Sequence, residues 1–145
     1  MKISTKGRYA LRMMIDLAAY GDEAPVSLKD ISERQDISMK YMEQIAAMLT
    51  KAGYVRSARG ARGGYVLARP AIDYTVGDIL RTTEGSLAPV ACLEGDEMKC
   101  ARCDCCPTVG FWKGLYDTVA NYVDSVTLQD LSEEQKRLGR NGHVI

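Results

Sequence analysis

The sequence predicts a mainly α-helical fold carrying one small β-hairpin. Three observations lead to that class. Apolar residues recur at three- and four-residue steps in several separate segments, the pattern of helices that bury one face. Hydroxyl side chains stand just ahead of those segments, where helix-capping residues belong. One Gly-rich stretch, residues 58–64, separates two short runs suited to strands.

The first helix is expected over Lys6–Tyr20. Ala10, Leu11, Met14, Ile15 and Ala18 make its apolar face, and Gly21 ends it. Ser27-Leu-Lys-Asp30 is a capping signal, so a short helix follows over Leu28–Arg34. Asp36-Ile-Ser38 makes a turn, and Ser38 caps a third helix over Met39–Lys51. In that helix Met42, Ile45, Met48 and Leu49 face inward. Gly53 stops it. Tyr54–Ser57 and Tyr65–Leu67 read as strands joined by a loop with Arg59 and Arg62 at its tip. Helix, short helix, turn, helix and hairpin, in that order, make a winged helix-turn-helix. Thr75-Val-Gly-Asp78 then caps a helix to about Thr83. Residues 84–110 show no periodicity and hold all five cysteines. From Phe111 the pattern is helical again, with Trp112, Leu115, Val119, Tyr122 and Val126 in a coiled-coil-like seam. Thr127 caps a last short helix through about Leu138, and Gly139–Ile145 is expected to be loose.

The chain has 145 residues, 46% of them hydrophobic and 26% charged, which excludes disordered and collagen-like classes. No apolar run approaches the roughly 18 residues of a membrane span. Even Tyr9–Tyr20 is broken by Arg12 and Asp16, so the expected location is cytoplasmic, with no membrane partner. The formal net charge of zero hides an asymmetry. Residues 1–69 carry 12 Lys+Arg against 7 Asp+Glu, and residues 70–145 carry 7 against 12. From Lys51 to Arg69 there are five cations and no acid. A local field of one sign suits a polyanion.

Double-stranded DNA is the expected partner. Recognition helices meet base edges with their N-terminal end, and here that end carries Ser38, Lys40, Tyr41, Glu43 and Gln44. Gln44 suits adenine and Glu43 suits the amino group of cytosine. Ser38 and Tyr41 suit phosphate oxygens. Arg59 and Arg62 sit on a loop that can reach a narrow minor groove. A redox enzyme is disfavoured, because no catalytic histidine or phosphate-binding loop is present.

The opening Met1-Lys-Ile-Ser-Thr-Lys-Gly-Arg-Tyr-Ala-Leu-Arg12, the segment Ile37-Ser-Met-Lys-Tyr-Met-Glu-Gln44 and the wing Arg59-Gly-Ala-Arg-Gly-Gly-Tyr-Val-Leu67 resemble the Rrf2 family of bacterial transcription regulators. The resemblance runs through the helix at 111–126. It implies a homodimeric repressor or dual regulator, with Arg59 as the wing arginine and the five residues of the third helix as base and phosphate contacts. The organisation it implies is a winged helix-turn-helix at 1–83 and a cysteine-rich loop at 84–110. A dimerisation helix with a short C-terminal helix would follow at 111–138, and a flexible tail at 139–145.

Cys92, Cys100, Cys103, Cys105 and Cys106 fall within 15 residues. In a cytoplasmic chain such a cluster points to metal or redox chemistry rather than structural disulfides. Cys100-x₂-Cys103-x₂-Cys106-Pro107 is similar to ferredoxin spacing, and thiolates suit iron–sulfur clusters, zinc or copper(I). Cluster-binding members of the family carry three cysteines on this loop. The resemblance therefore implies an iron–sulfur cluster, two-iron or four-iron, on Cys92, Cys100 and Cys106. The histidine that some members add is replaced by Val109, and the acid that others add near the N-terminus is replaced by Arg8. The fourth ligand is then Cys103 or Cys105, with Asp104, Glu43 or a small exogenous ligand as further options. His143 lies in the tail, away from the loop. Zinc is the lesser metal candidate. Family members without these cysteines point to the other reading, a repressor without a cluster, controlled by thiol oxidation or a metabolic-enzyme partner. The expected targets are iron–sulfur assembly, cysteine-metabolism or stress genes.

Overall fold

Ser4 begins the first helix by accepting a hydrogen bond from the Gly7 N–H. In the computed structural model, which describes residues 1–98 and 100–140, that helix, α1, runs Thr5–Tyr20. Ala10, Met13, Met14 and Leu17 are at most 1% exposed and form the floor of the core. Burying each of the larger ones contributes roughly 1.5–3 kcal/mol. Helix α2 (Leu28–Gln35) is capped by Ser27 and α3 (Met39–Lys51) by Ser38. Between them Asp36 adopts a left-handed φ of 52°, a conformation that Asp tolerates better than most residues. It turns the chain sharply from α2 into α3.

The hairpin pairs β1 (Val55–Ala58) with β2 (Gly64–Leu67) antiparallel, Val55 opposite Leu67 and Ala58 opposite Gly64. Val26 adds a bridge to Tyr65, each N–H donating to the other's carbonyl at 3.0 and 2.8 Å. Gly64 is required there, because a Cβ would overlap the Val26 carbonyl and lie 2.8 Å from the Ser27 nitrogen. At the base of the hairpin, the fully buried Tyr74 donates its hydroxyl to the Tyr54 carbonyl at 2.8 Å and accepts the Arg69 N–H. The Tyr54 and Tyr74 rings meet edge to face at 5.4 Å.

Helix α4 (Val76–Glu84) opens with the expected capping box, Thr75 and Asp78 each accepting the other's backbone N–H. Thr127 and Asp130 repeat the device at α6 (Leu128–Arg140). The two caps bridge each other: Thr75 pairs with Thr127, Val76 N–H donates to Val126 O, and Leu128 N–H donates to Tyr74 O. Helix α6 packs along α1 and places Leu128, fully buried, in the common core.

Helix α5 (Val109–Ser125) starts two residues before the expected position, at the end of the cysteine loop. None of its residues is buried. Phe111 and Tyr122 are 65% and 70% exposed, and Trp112, Leu115 and Val119 are half-buried. The expected seam is shortened by one member, because Val126 lies past the helix end in extended backbone. Among the described residues no helix is long and apolar enough to cross a membrane. The expected loose tail lies, from residue 141 on, outside the described residues; Gly139 belongs to α6.

Candidate nucleic-acid interface and cysteine loop

The N-terminal end of α3 is presented to solvent. Ser38 caps it by accepting the Tyr41 N–H at 3.2 Å. Ser38, Lys40, Glu43 and Gln44 are exposed and Tyr41 is half-buried. Tyr41 leans edge-on against Tyr9 of α1, ring centroids 5.4 Å apart. Arg12, which lies over the Tyr9 ring, donates to the Gln35 backbone carbonyl and, at 3.1 Å, to its side-chain oxygen. The end of α2 and the start of α3 are thereby braced on α1.

A second brace was not legible as a site. Asp16, fully buried, accepts two hydrogen bonds from Arg34, at 2.7 and 3.0 Å, and one from the Gln35 amide at 3.0 Å. The hydrogen-bonded carboxylate raises the Arg34 guanidinium above its ordinary value. Arg34 also lies 4.3 Å above the Tyr20 ring. The available signal was spacing, since Arg12 and Asp16 stand four apart and share one face of α1.

Arg59 and Arg62 are exposed on the hairpin loop, where Gly60 takes φ 114° and its carbonyl accepts the Gly63 N–H at 2.9 Å. Among the described residues neither is held in an ion pair. The structure thus presents two sets of exposed polar groups, one at the start of α3 and one on the wing.

The cysteine loop hangs between two anchored helices. At the end of α4, Glu84 accepts the Ser4 N–H and hydroxyl, at 3.1 and 2.6 Å. A Cβ on Gly7 would overlap the same carboxylate, so only glycine lets Glu84 reach the start of α1. On α5, Asp124 is gripped by Arg81 of α4. In between, Leu87 is buried and two short 3-10 turns follow, Ala91–Leu93 and Cys103–Cys105.

All five thiols are free. Cys105 is exposed and Cys92, Cys100, Cys103 and Cys106 are half-buried. Cys103 N–H donates to the Cys100 carbonyl, and Cys103 Sγ lies 3.6 Å from the Asp104 carboxylate. Cys106 stands just ahead of α5, with Thr108 Oγ1 at 3.3 Å from its sulfur. That hydroxyl, with the backbone N–H groups of Thr108 and Val109, lowers the thiol below its ordinary range. The donor set fits a thiophilic metal or iron–sulfur group chemically, being unpaired sulfur within a short segment. Among the described residues no three His, Cys, Asp or Glu side chains converge to hold a metal. Cys92, Cys100 and Cys106 are therefore brought onto one loop but not into one coordination sphere. Glu43 lies on α3, and His143 lies outside the described residues.

Comparison with known proteins supplies the wider context. The family described as Rrf2, iron-dependent transcriptional regulator, matches residues 3–134. Protein rrf2 of Nitratidesulfovibrio vulgaris is 41% identical over 141 residues, 97% of this chain and 93% of that protein. The HTH-type transcriptional regulator CymR of Bacillus subtilis is 44% identical over 132 residues, 91% of this chain and 90% of that protein. Its solved structure, described as the global cysteine regulator, superposes with a TM-score of 0.77, covering 92% of this chain and 98% of the other. The structure of T. potens IscR superposes with a TM-score of 0.73 at 41% identity, covering 93% of this chain and 88% of the other.

Proposed function

The chain belongs to the Rrf2 family of transcriptional regulators, which are not enzymes, and from that premise we propose that it is a homodimeric, sequence-specific DNA-binding repressor or dual regulator whose cysteine loop senses iron–sulfur or redox status. One observation carries the DNA half: the capped end of α3 offers Lys40, Glu43 and Gln44 to solvent while its other side is sealed in the core. Ser38, Lys40, Tyr41, Glu43 and Gln44 would enter a major groove. Arg59 and Arg62 would meet the backbone or the minor groove beside it. A second copy would pair along the apolar side of α5, with Trp112, Leu115, Val119 and Tyr122 in the seam.

In this proposal Cys92, Cys100 and Cys106 hold an iron–sulfur cluster, with Cys103 or Cys105 as fourth ligand. Such a group, when bound, supplies iron chemistry that oxidants and nitric oxide alter. The chain's own part is mechanical. The loop begins at Glu84, which is tied to α1, and ends at α5, which is tied to α4 through Asp124. Any reordering of residues 85–108 therefore pulls on the angle between α5 and the winged helix-turn-helix, and so on the spacing of two recognition helices. A switch of this kind needs about 1–3 kcal/mol of coupling. The family's description as iron-dependent and the likeness to IscR support the reading.

The test is anaerobic purification with an absorbance spectrum, iron and sulfide analysis, and affinity for a duplex selected from a random pool. Iron with matching sulfide, and an affinity that changes on its removal and in Cys106→Ala, are expected. Colourless, iron-free protein whose affinity ignores Cys106→Ala would overturn the cluster.

A second reading is favoured by the adjacency of Cys105 and Cys106, both accessible, and by the likeness to CymR. It keeps DNA binding and replaces the cluster with thiol–disulfide exchange or a metabolic-enzyme partner. It is identified by affinity that follows dithiothreitol or an added protein rather than iron.

A further inference from the structure

The buried side of α3 fixes what its other side presents. Met42, Ile45, Ala46 and Leu49 are at most 1% exposed, which sets the rotation of the helix about its axis. On the opposite side Lys40, Glu43, Gln44, Ala47 and Lys51 are exposed. The first four follow i, i+3, i+4, i+7. That is the spacing at which the third helix of a homeodomain meets bases along the major groove. Three of the four have polar groups that suit base edges or phosphate. Ala47 has only a methyl. Thr50, nearby at the flank, uses its hydroxyl within the helix, donating to the Ala46 carbonyl at 2.7 Å.

We infer that Ala47 is a specificity-determining residue, a fourth base-facing position whose methyl packs on the C5-methyl of a thymine. The inference rests on the DNA-binding reading above. Three residues advance an α-helix by about 4.5 Å, so Ala47 lies roughly one base pair beyond the base that Gln44 addresses. Alanine against a thymine methyl is a recurring apolar contact in this groove. The small side chain also lets the helix axis come close to the groove floor, so that Lys40 and Gln44 reach base edges on one side of Ala47. Lys51, one turn further on, is then at the wall of the groove, where a cation suits phosphate.

The test uses the full-length protein and a duplex that it selects from a random pool. Each thymine is replaced singly by uracil, which removes only the methyl. The expected result is one thymine per half-site at which uracil lowers affinity about fourfold, the equivalent of roughly 0.8 kcal/mol for one buried methyl-sized group. That penalty should vanish in Ala47→Gly. Ala47→Gln should lose affinity for the selected duplex while keeping its affinity for an unselected one. Ala47→Ser, which keeps the helix, guards against a folding artefact and should retain binding with a reduced uracil penalty; thermal melts by circular dichroism check each variant. A uracil penalty that persists unchanged in Ala47→Gly and Ala47→Ser, or sequence-selective binding that ignores every uracil, overturns the role of Ala47 and leaves DNA binding intact. Wild-type protein that binds no duplex overturns both.

Discussion

Arg81 holds both carboxylate oxygens of Asp124, Nη1 at 2.7 Å from Oδ1 and Nη2 at 2.9 Å from Oδ2. This fork joins α4, which belongs to the core, to α5, which has no buried residue of its own. Gly77 lies beneath it. A Cβ there would overlap Asp124 Oδ1 and come within 2.7 Å of Arg81 Nη1.

Gly77→Ala is therefore expected to push the carboxylate out of the fork. The helix gains roughly 0.5–1 kcal/mol of propensity from the change, which offsets the lost pair, so net stability should move by less than about 1 kcal/mol. The informative quantity is the coupling between Arg81→Ala and Asp124→Ala in a double-mutant cycle. It should be about 0.5 kcal/mol in wild-type protein, as for other partly exposed pairs, and near zero in the Gly77→Ala background.

The same pair predicts a pH dependence. The Arg81 hydrogen bonds hold the Asp124 carboxyl below the usual carboxylate range. Its contribution is thus whole above the free-aspartate value near pH 3.9 and is lost as the pH falls through the lower folded-state value. Urea midpoints measured from pH 7 downward should show wild type and Asp124→Asn differing at neutral pH and converging in acid.

Asp16→Ala should be the more damaging loss. Asp16 is fully buried and satisfies Arg34 and Gln35 together. Removing it leaves the Arg34 guanidinium and the Gln35 amide without their acceptor, a cost of about 3 kcal/mol. Chemical denaturation reads the stability, and the loss of α2 bracing should also weaken DNA binding in excess of the unfolded fraction.

Arg59→Ala tests the wing. Each lost phosphate contact should reduce the slope of log affinity against log salt by about 0.9. Titrations at several salt concentrations with selected and unselected duplexes measure it, and an unchanged slope and affinity would place Arg59 off the DNA.

Val119→Asp tests α5. An unpaired carboxylate in a closed apolar seam is strongly destabilising, so sedimentation should show monomers where wild type shows dimers. Because Val119 makes no contribution to the buried core, the monomer should keep its helical content.

Much of this architecture was legible because it is local. Ser27, Ser38, Thr75 and Thr127 each announce a helix through a hydroxyl that has one physical job, and the structure places each at a helix start. The bounds of α3 follow from its apolar period and its cap. The exposure of Lys40, Glu43 and Gln44 was legible for the same reason, since a capped helix with one apolar side has only one other side to offer. What joins distant segments was not. The Ser4–Glu84 bond spans 80 positions, and nothing in either neighbourhood announces the other. Arg12 and Asp16 read as charges that interrupt an apolar stretch. Both in fact turn to the end of α2, where Gln35 receives them from two directions. The gathering of thiols was legible as composition only, because the loop backbone has no period from which to place a sulfur.

The mutual bridge between Thr75 and Thr127 bears on how the molecule comes apart. Leu128, far along the chain, fills the same interior as Met13 and Tyr74. A protease that nicks the cysteine segment would thus yield two pieces that stay together, and excising the leading piece alone would leave an open hole where Leu128 had been.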